Sequence, residues 1–170
     1  MEMEADGHGH HAHALLRLAS PLVGSTSHTP HVMTNADEYD SWFSTAVFPA
    51  ESRAVPRARE WVRTTLAGWG LAEPPDLAEL AEVTELLAGE LVGNAIRHAS
   101  GPVEVRLLYG RSLLCEVFDT DRTLPEVRTT GLDDEGGRGL QLVCQLTENW
   151  GACWVSYGKV VWFEQTLPPM

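Results

Sequence analysis

Basic residues are scarce in this chain of 170 residues: 12 Lys+Arg stand against 24 Asp+Glu, a formal net charge of −12. Binding a phosphate backbone needs a basic surface that can displace counterions, so direct DNA or RNA binding is excluded as a function class. Long apolar runs are also missing. A membrane helix needs about 18 or more consecutive apolar residues, and the nearest candidate, residues 12–24, is interrupted by Arg17, Ser20 and Pro21. Glu2, Glu4 and Asp6 precede that stretch where a secretory signal would carry basic residues, so a soluble, cytoplasmic protein without a membrane anchor is expected. The three cysteines, Cys115, Cys144 and Cys153, are widely spaced among apolar neighbours. That arrangement matches neither a disulfide framework nor a zinc-ligand set, and predicts reduced core residues.

The length suits one compact domain with a tail. Residues 1–40 show no sustained hydrophobic period and are rich in Gly, Ser, Thr, Pro and His, which predicts a disordered tail ahead of a folded domain over residues 41–168. The tail carries His8, His10, His11 and His13, which without a packed surround would chelate a transition metal only weakly. Met33, just ahead of the folded-looking residues, is a second candidate translation start.

Alternation from Trp42 to Pro49 predicts a short strand. Val55, Ala58, Val62 and Leu66 then recur at helical spacing until Gly68 and Gly70. Pro74 and Pro75 open a longer helix, whose stripe Leu77, Leu80, Thr84, Leu87, Leu91 and Ala95 is widened by Val92 and Ile96, as in a helix buried on more than one side. Beyond Ser100-Gly101-Pro102 the period becomes two. Val103 to Tyr109 and Leu113 to Asp119 form a hairpin around Gly110-Arg111-Ser112. A polar loop over residues 120–136 precedes a helix through Leu140, Val143, Cys144 and Leu146, and two strands, Trp150 to Ser156 and Val160 to Leu167, close the domain. The predicted fold class is α/β: a two-layer α/β sandwich with helices on one face of a mixed, mostly antiparallel sheet.

Three clusters carry chemistry. Glu90 and Asn94 are four apart on the long helix, so they share a stripe that Arg97 or His98 continues. A carboxylate there can take a proton, and an amide oxygen is a hard ligand for Mg²⁺; the same spacing also describes an ordinary solvated polar pair. Gly136-Gly137-Arg138-Gly139 lies at a loop-to-helix junction, where backbone amides and the helix dipole favour an anion and Arg138 could meet a terminal phosphate, although a glycine-rich stretch is often only a turn. Asp119 ends the row Leu113, Cys115, Val117 on one strand face, a buried acceptor suited to an exocyclic amine such as adenine's.

Taken in order, Glu90-Leu91-Val92-Gly93-Asn94-Ala95-Ile96-Arg97-His98-Ala99, then Asp119, then Gly137-Arg138-Gly139-Leu140 resemble the N, G1 and G2 boxes of the GHKL (Bergerat-fold) ATPases. More narrowly, the chain resembles the bacterial anti-sigma-factor serine kinases and the histidine-kinase-like ATP-binding regulators of actinobacteria. The resemblance extends over residues 42–167. It implies an ATP- and Mg²⁺-dependent protein serine/threonine kinase in which Glu90 is catalytic and Asn94 ligates the metal. Asp119 would bind adenine, and Gly137, Arg138, Gly139 and Leu140 would complete the nucleotide site under a lid of residues 122–136. Implied partners are a sigma factor and a STAS-type antagonist protein, with a homodimer as one assembly.

The family's Asp-x-Gly-x-Gly reads Asp119-Thr120-Asp121-Arg122-Thr123 here. Both glycines are lost, and Asp121 brings a negative charge toward a triphosphate. No upstream helix bearing a phosphoacceptor histidine is evident, so a complete sensor kinase is not expected, and His98 reads as structural. Two readings stay open: a kinase that switches between partners, and a regulator that binds nucleotide or protein through a degenerate site without turnover.

Overall fold

The computed structural model describes residues 31–34, 40–98, 100–125 and 138–169. Six strands, β1 (His31–Thr34), β2 (Asp40–Phe48), β3 (Val103–Tyr109), β4 (Ser112–Asp119), β5 (Asn149–Val155) and β6 (Gly158–Thr166), form one sheet. Their order is β1-β2-β3-β4-β6-β5. Among the described residues three helices accompany them: α1 (Ala54–Gly68), α2 (Pro75–His98) and α3 (Arg138–Leu146). The two-layer α/β sandwich is as predicted, but the sheet is antiparallel at every pairing and not mixed. Two successive helices return the chain to the end where β2 finished, so β3 runs back beside it. β4 and β5 do point the same way, each antiparallel to β6, but β6 lies between them.

Part of the segment read as a tail belongs to this sheet: His31–Thr34 pairs with β2 in the register His31 to Phe43 through Thr34 to Asp40. Residues 1–30 and 35–39, including the four tail histidines, lie outside the described residues.

Burial follows the strand period. Ser44, Phe48, Val103, Val105, Leu107, Leu113, Cys115, Val117, Val161 and Phe163 are buried on the helix-facing side, while Thr45, Glu104, Arg106, Glu116 and Trp162 alternate with them on the other. Ala54, Ala58, Trp61, Val62 and Leu66 of α1 complete the core with Leu80, Leu87, Ala88, Leu91, Val92 and Ala95 of α2. Trp61 meets Phe48 edge to face, with centroids 6.2 Å apart. Buried Thr84, in the apolar stripe of α2, donates to the side-chain carbonyl of Gln165 on β6 and so pins the long helix to the sheet.

Helix boundaries obey local chemistry. Pro75 occupies the first position of α2, where its missing N–H costs no helical bond. α1 ends in a Schellman motif: Leu71 N–H donates to Leu66 O at 3.0 Å and Gly70 N–H to Ala67 O at 3.0 Å, with Gly70 at φ +80°. No helix among the described residues is long and apolar enough to cross a membrane.

Candidate functional site

Burial of one α2 stripe decides where its polar residues go. Leu87, Ala88, Leu91, Val92 and Ala95 face the core, which leaves Glu90 and Asn94 half-buried on the flank. The N-terminal turn of α3 packs against that flank at Gly139, which is itself buried. A Cβ at position 139 would lie 2.9 Å from Glu90 Oε2, 3.1 Å from Glu90 Cβ and 3.4 Å from Asn94 Nδ2. A larger residue there would have to shift the Glu90 carboxylate, so glycine suits the close approach. It brings the backbone at the start of α3 beside a carboxylate and a carboxamide. The structure thus joins two clusters separated by more than forty residues in sequence.

Two arginines hold the polar pair. Arg97 Nη2 donates to Asn94 Oδ1. From α1, Arg59 Nη2 donates to Glu90 Oε1 at 3.2 Å, the side chains being 35% and 29% exposed. The arginine reaches Glu90 by lying across Gly89, where any Cβ would run into the guanidinium. Its Nε is buried without a partner among the described residues. Glu90 therefore carries a cation on one oxygen and has its other oxygen close to Gly139.

Asp119 anchors a second group at the end of β4. It is 1% exposed and stands directly opposite Lys159 on β6. Lys159 Nζ donates to Asp119 Oδ1 at 3.0 Å and to Asp121 Oδ2 at 2.7 Å. Asp119 Oδ1 also accepts from the Asp121 N–H at 2.8 Å, and Asp121 Oδ1 accepts from the Thr123 N–H at 3.2 Å. Burial pushes the Asp119 carboxyl above its ordinary range against the pull of Lys159. At the more exposed Asp121 the lysine contact dominates and lowers the carboxyl to about 2. Gly158 is fixed by the same packing, since a Cβ there would strike the Asp119 carbonyl oxygen. On the far side, the Trp154 indole N–H donates to Arg122 O at 2.9 Å and ties this loop to β5.

One family matches this chain: that described as Histidine kinase-like ATPase domain, over residues 48–163. The chain belongs to the histidine kinase-like ATPase domain family. Among curated proteins no match is found.

In a histidine kinase-like ATPase domain the ligand is ATP, usually with Mg²⁺, and the donor set here fits both. Asn94 Oδ1 offers a hard oxygen at the cost of an exposed hydrogen bond to Arg97. Glu90 adds a carboxylate, and the α3 turn adds amides for phosphate. Among the described residues no three His, Cys, Asp or Glu side chains gather into a metal cage.

Of the residues singled out in the sequence, the structure brings Glu90, Asn94 and Gly139 together and places Asp119 in the interior beside Lys159. Leu140 is 5% exposed, and its side chain packs into the core. Arg138 begins α3, while Gly137 and most of the lid, residues 126–136, lie outside the described residues. Sequence reasoning missed Arg59 and Lys159. Gly89 beside Glu90 was a signal for the first, and Gly158-Lys159 opening the last strand for the second, but neither has meaning until helix packing and strand register are known.

Proposed function

We propose that this ATP-binding regulatory protein is a cytoplasmic protein serine/threonine kinase that phosphorylates a STAS-type antagonist and, in its other nucleotide state, holds a sigma factor. The observation that carries the reading is the close approach of Gly139 on α3 to Glu90 and Asn94 on α2. It assembles in one place the groups that phosphoryl transfer requires, namely positioning amides, a hard metal ligand and a carboxylate. Mg²⁺-ATP, when bound, supplies the transferable phosphoryl group. Glu90 takes the proton of the attacking serine hydroxyl through the oxygen turned toward α3, while Arg59 keeps the other oxygen in place. Asn94 orients the metal, and the α3 amides steady the phosphates.

The test is calorimetric titration of Mg²⁺-ATP into the full chain, with Asn94→Ala as control, followed by phosphotransfer to STAS-type antagonists by wild type and Glu90→Ala. Binding that weakens at least about tenfold in Asn94→Ala is expected. Glu90→Ala should bind nucleotide yet lose about 10²-fold or more in transfer. A folded wild type that ignores millimolar Mg²⁺-ATP would sink the reading. Binding without transfer by wild type would leave a nucleotide-holding regulator in its place.

A further inference from the structure

The loss of both G1-type glycines raises the question of what shapes the loop after β4, and the charge of Asp121 raises the question of what keeps it from repelling a triphosphate. One side chain answers both. Lys159 is 5% exposed and its ammonium binds Asp119 Oδ1, Asp121 Oδ2 and the Asp121 carbonyl oxygen, the last at 3.4 Å. A lysine buried with two carboxylates neutralises one of their two charges. It also draws residues 119–123 into two successive turns, each closed by an aspartate accepting the N–H two residues on. Glycine's backbone freedom is replaced by a clamp.

The clamp also selects which oxygen Asp119 can offer. Among the described residues, every hydrogen bond to the Asp119 carboxylate converges on Oδ1. We infer that Lys159 is a positioning residue for base recognition: by holding Oδ1 of Asp119 and the carboxylate of Asp121, it presents Oδ2 of Asp119 as an ionised, acceptor-only group that favours a base with an exocyclic amine over one with a carbonyl. The inference rests on the nucleotide reading given above and adds to it the residue that sets base selectivity.

The chemistry runs through the proton. A carboxylate only accepts, so it suits the 6-amino group of adenine and repels the 6-oxo group of hypoxanthine. Burial favours the protonated acid at Asp119, and the Lys159 ammonium opposes it. Without that ammonium, the Asp121 carboxylate alone would face Asp119 and drive it further toward protonation. A protonated carboxyl donates as well as accepts, and the discrimination between the two bases disappears.

The experiment measures the affinities of Mg²⁺-ATP and Mg²⁺-ITP for the full chain and its variants. Wild type should prefer ATP. In Lys159→Met the ATP-to-ITP preference should fall by about tenfold, and Lys159→Arg should restore part of it. Should Lys159→Met fail to fold, Lys159→Gln provides the second route: it keeps a hydrogen-bond donor for the two aspartates but carries no charge, and the ratio should fall severalfold. A folded Lys159→Met or Lys159→Gln with the wild-type ratio overturns the inference alone, because a purely stabilising ion pair would change both affinities together. A wild type that binds ATP and ITP equally well overturns base reading by Asp119 and the role of Lys159 with it. A wild type that binds neither overturns the nucleotide reading as well.

Discussion

Asp121 is a residue whose charge has opposite implications before and after folding is considered. In sequence it is an obstacle to a phosphate, and in the structure its Oδ2 lies 2.7 Å from Lys159 Nζ. Its carboxyl sits at about 2 in the folded chain, against about 3.9 in an unfolded one. A folded value below the unfolded value means that the stabilisation is complete above about pH 4 and is lost as the pH falls through about 2. Asp119 works in the opposite sense, because its carboxyl is raised by burial: its contribution is greatest in acid and declines as the pH climbs through the folded value. Asp121→Asn should therefore cost about 1 kcal/mol at pH 7, a figure discounted for partial exposure. That difference from wild type should close between about pH 4 and pH 2 in urea titrations. A difference constant across the window would show that the ionised form of Asp121 does nothing for the fold.

At the scale of elements, the end of α1 separates two glycines that look equivalent in sequence. Gly70 sits at φ +80° in the Schellman turn, whereas Gly68 is the last helical residue and a Cβ there would meet nothing within 4 Å. Gly70→Ala should destabilise by about 1 kcal/mol or more, and Gly68→Ala should stabilise by up to about 1 kcal/mol. The two thermal midpoints should then move in opposite directions, by about 2–4 °C per kcal/mol. Movement in the same direction would mean that the turn does not need its left-handed residue. Such elements were legible because their signals are local: the stop at Gly68 and Gly70, the Pro74-Pro75 start, the hairpin at residues 110–112 and the two-residue period ending at Asp119. β1 was not legible, since four residues within a polar, His- and Pro-rich stretch show no period, and only pairing with β2 makes them a strand. The same limit hid half of the site. Glu90 and Asn94 share a helix face that spacing reveals, but Arg59 reaches Glu90 only because α1 packs over Gly89. Lys159 meets Asp119 only because β6 inserts between β4 and β5.

For the molecule as a whole, the cysteines report how tightly the two layers are joined. Cys115 lies on β4 at the centre of the sheet, 0% exposed, and burial pushes its thiol far above the ordinary range. Cys144 on α3 and Cys153 on β5 are partly exposed and raised less. A thiol reacts as the thiolate and only when reached, so Cys144 and Cys153 should be alkylated through small openings of α3 and the β5 edge. Cys115 should wait for the whole sandwich to part. With a folding free energy of about 5 kcal/mol or more, Cys115 labelling should be slower than in the unfolded chain by about 10³-fold or more. In the proposed site Mg²⁺-ATP would be held by residues of both α2 and α3, and such a ligand would bind the folded state alone. At 100 times its dissociation constant it should therefore slow Cys115 labelling by about 100-fold, equivalent to about 2.7 kcal/mol. In Asn94→Ala, with binding weakened about tenfold or more, the slowing at the same nucleotide concentration should fall to about 10-fold or less, because the ligand that couples site to core has lost its metal anchor. Cys115 labelling indifferent to nucleotide in a wild type that binds it would mean that β4 opens without releasing the site, and that the two helices hold their ligand independently of the sheet.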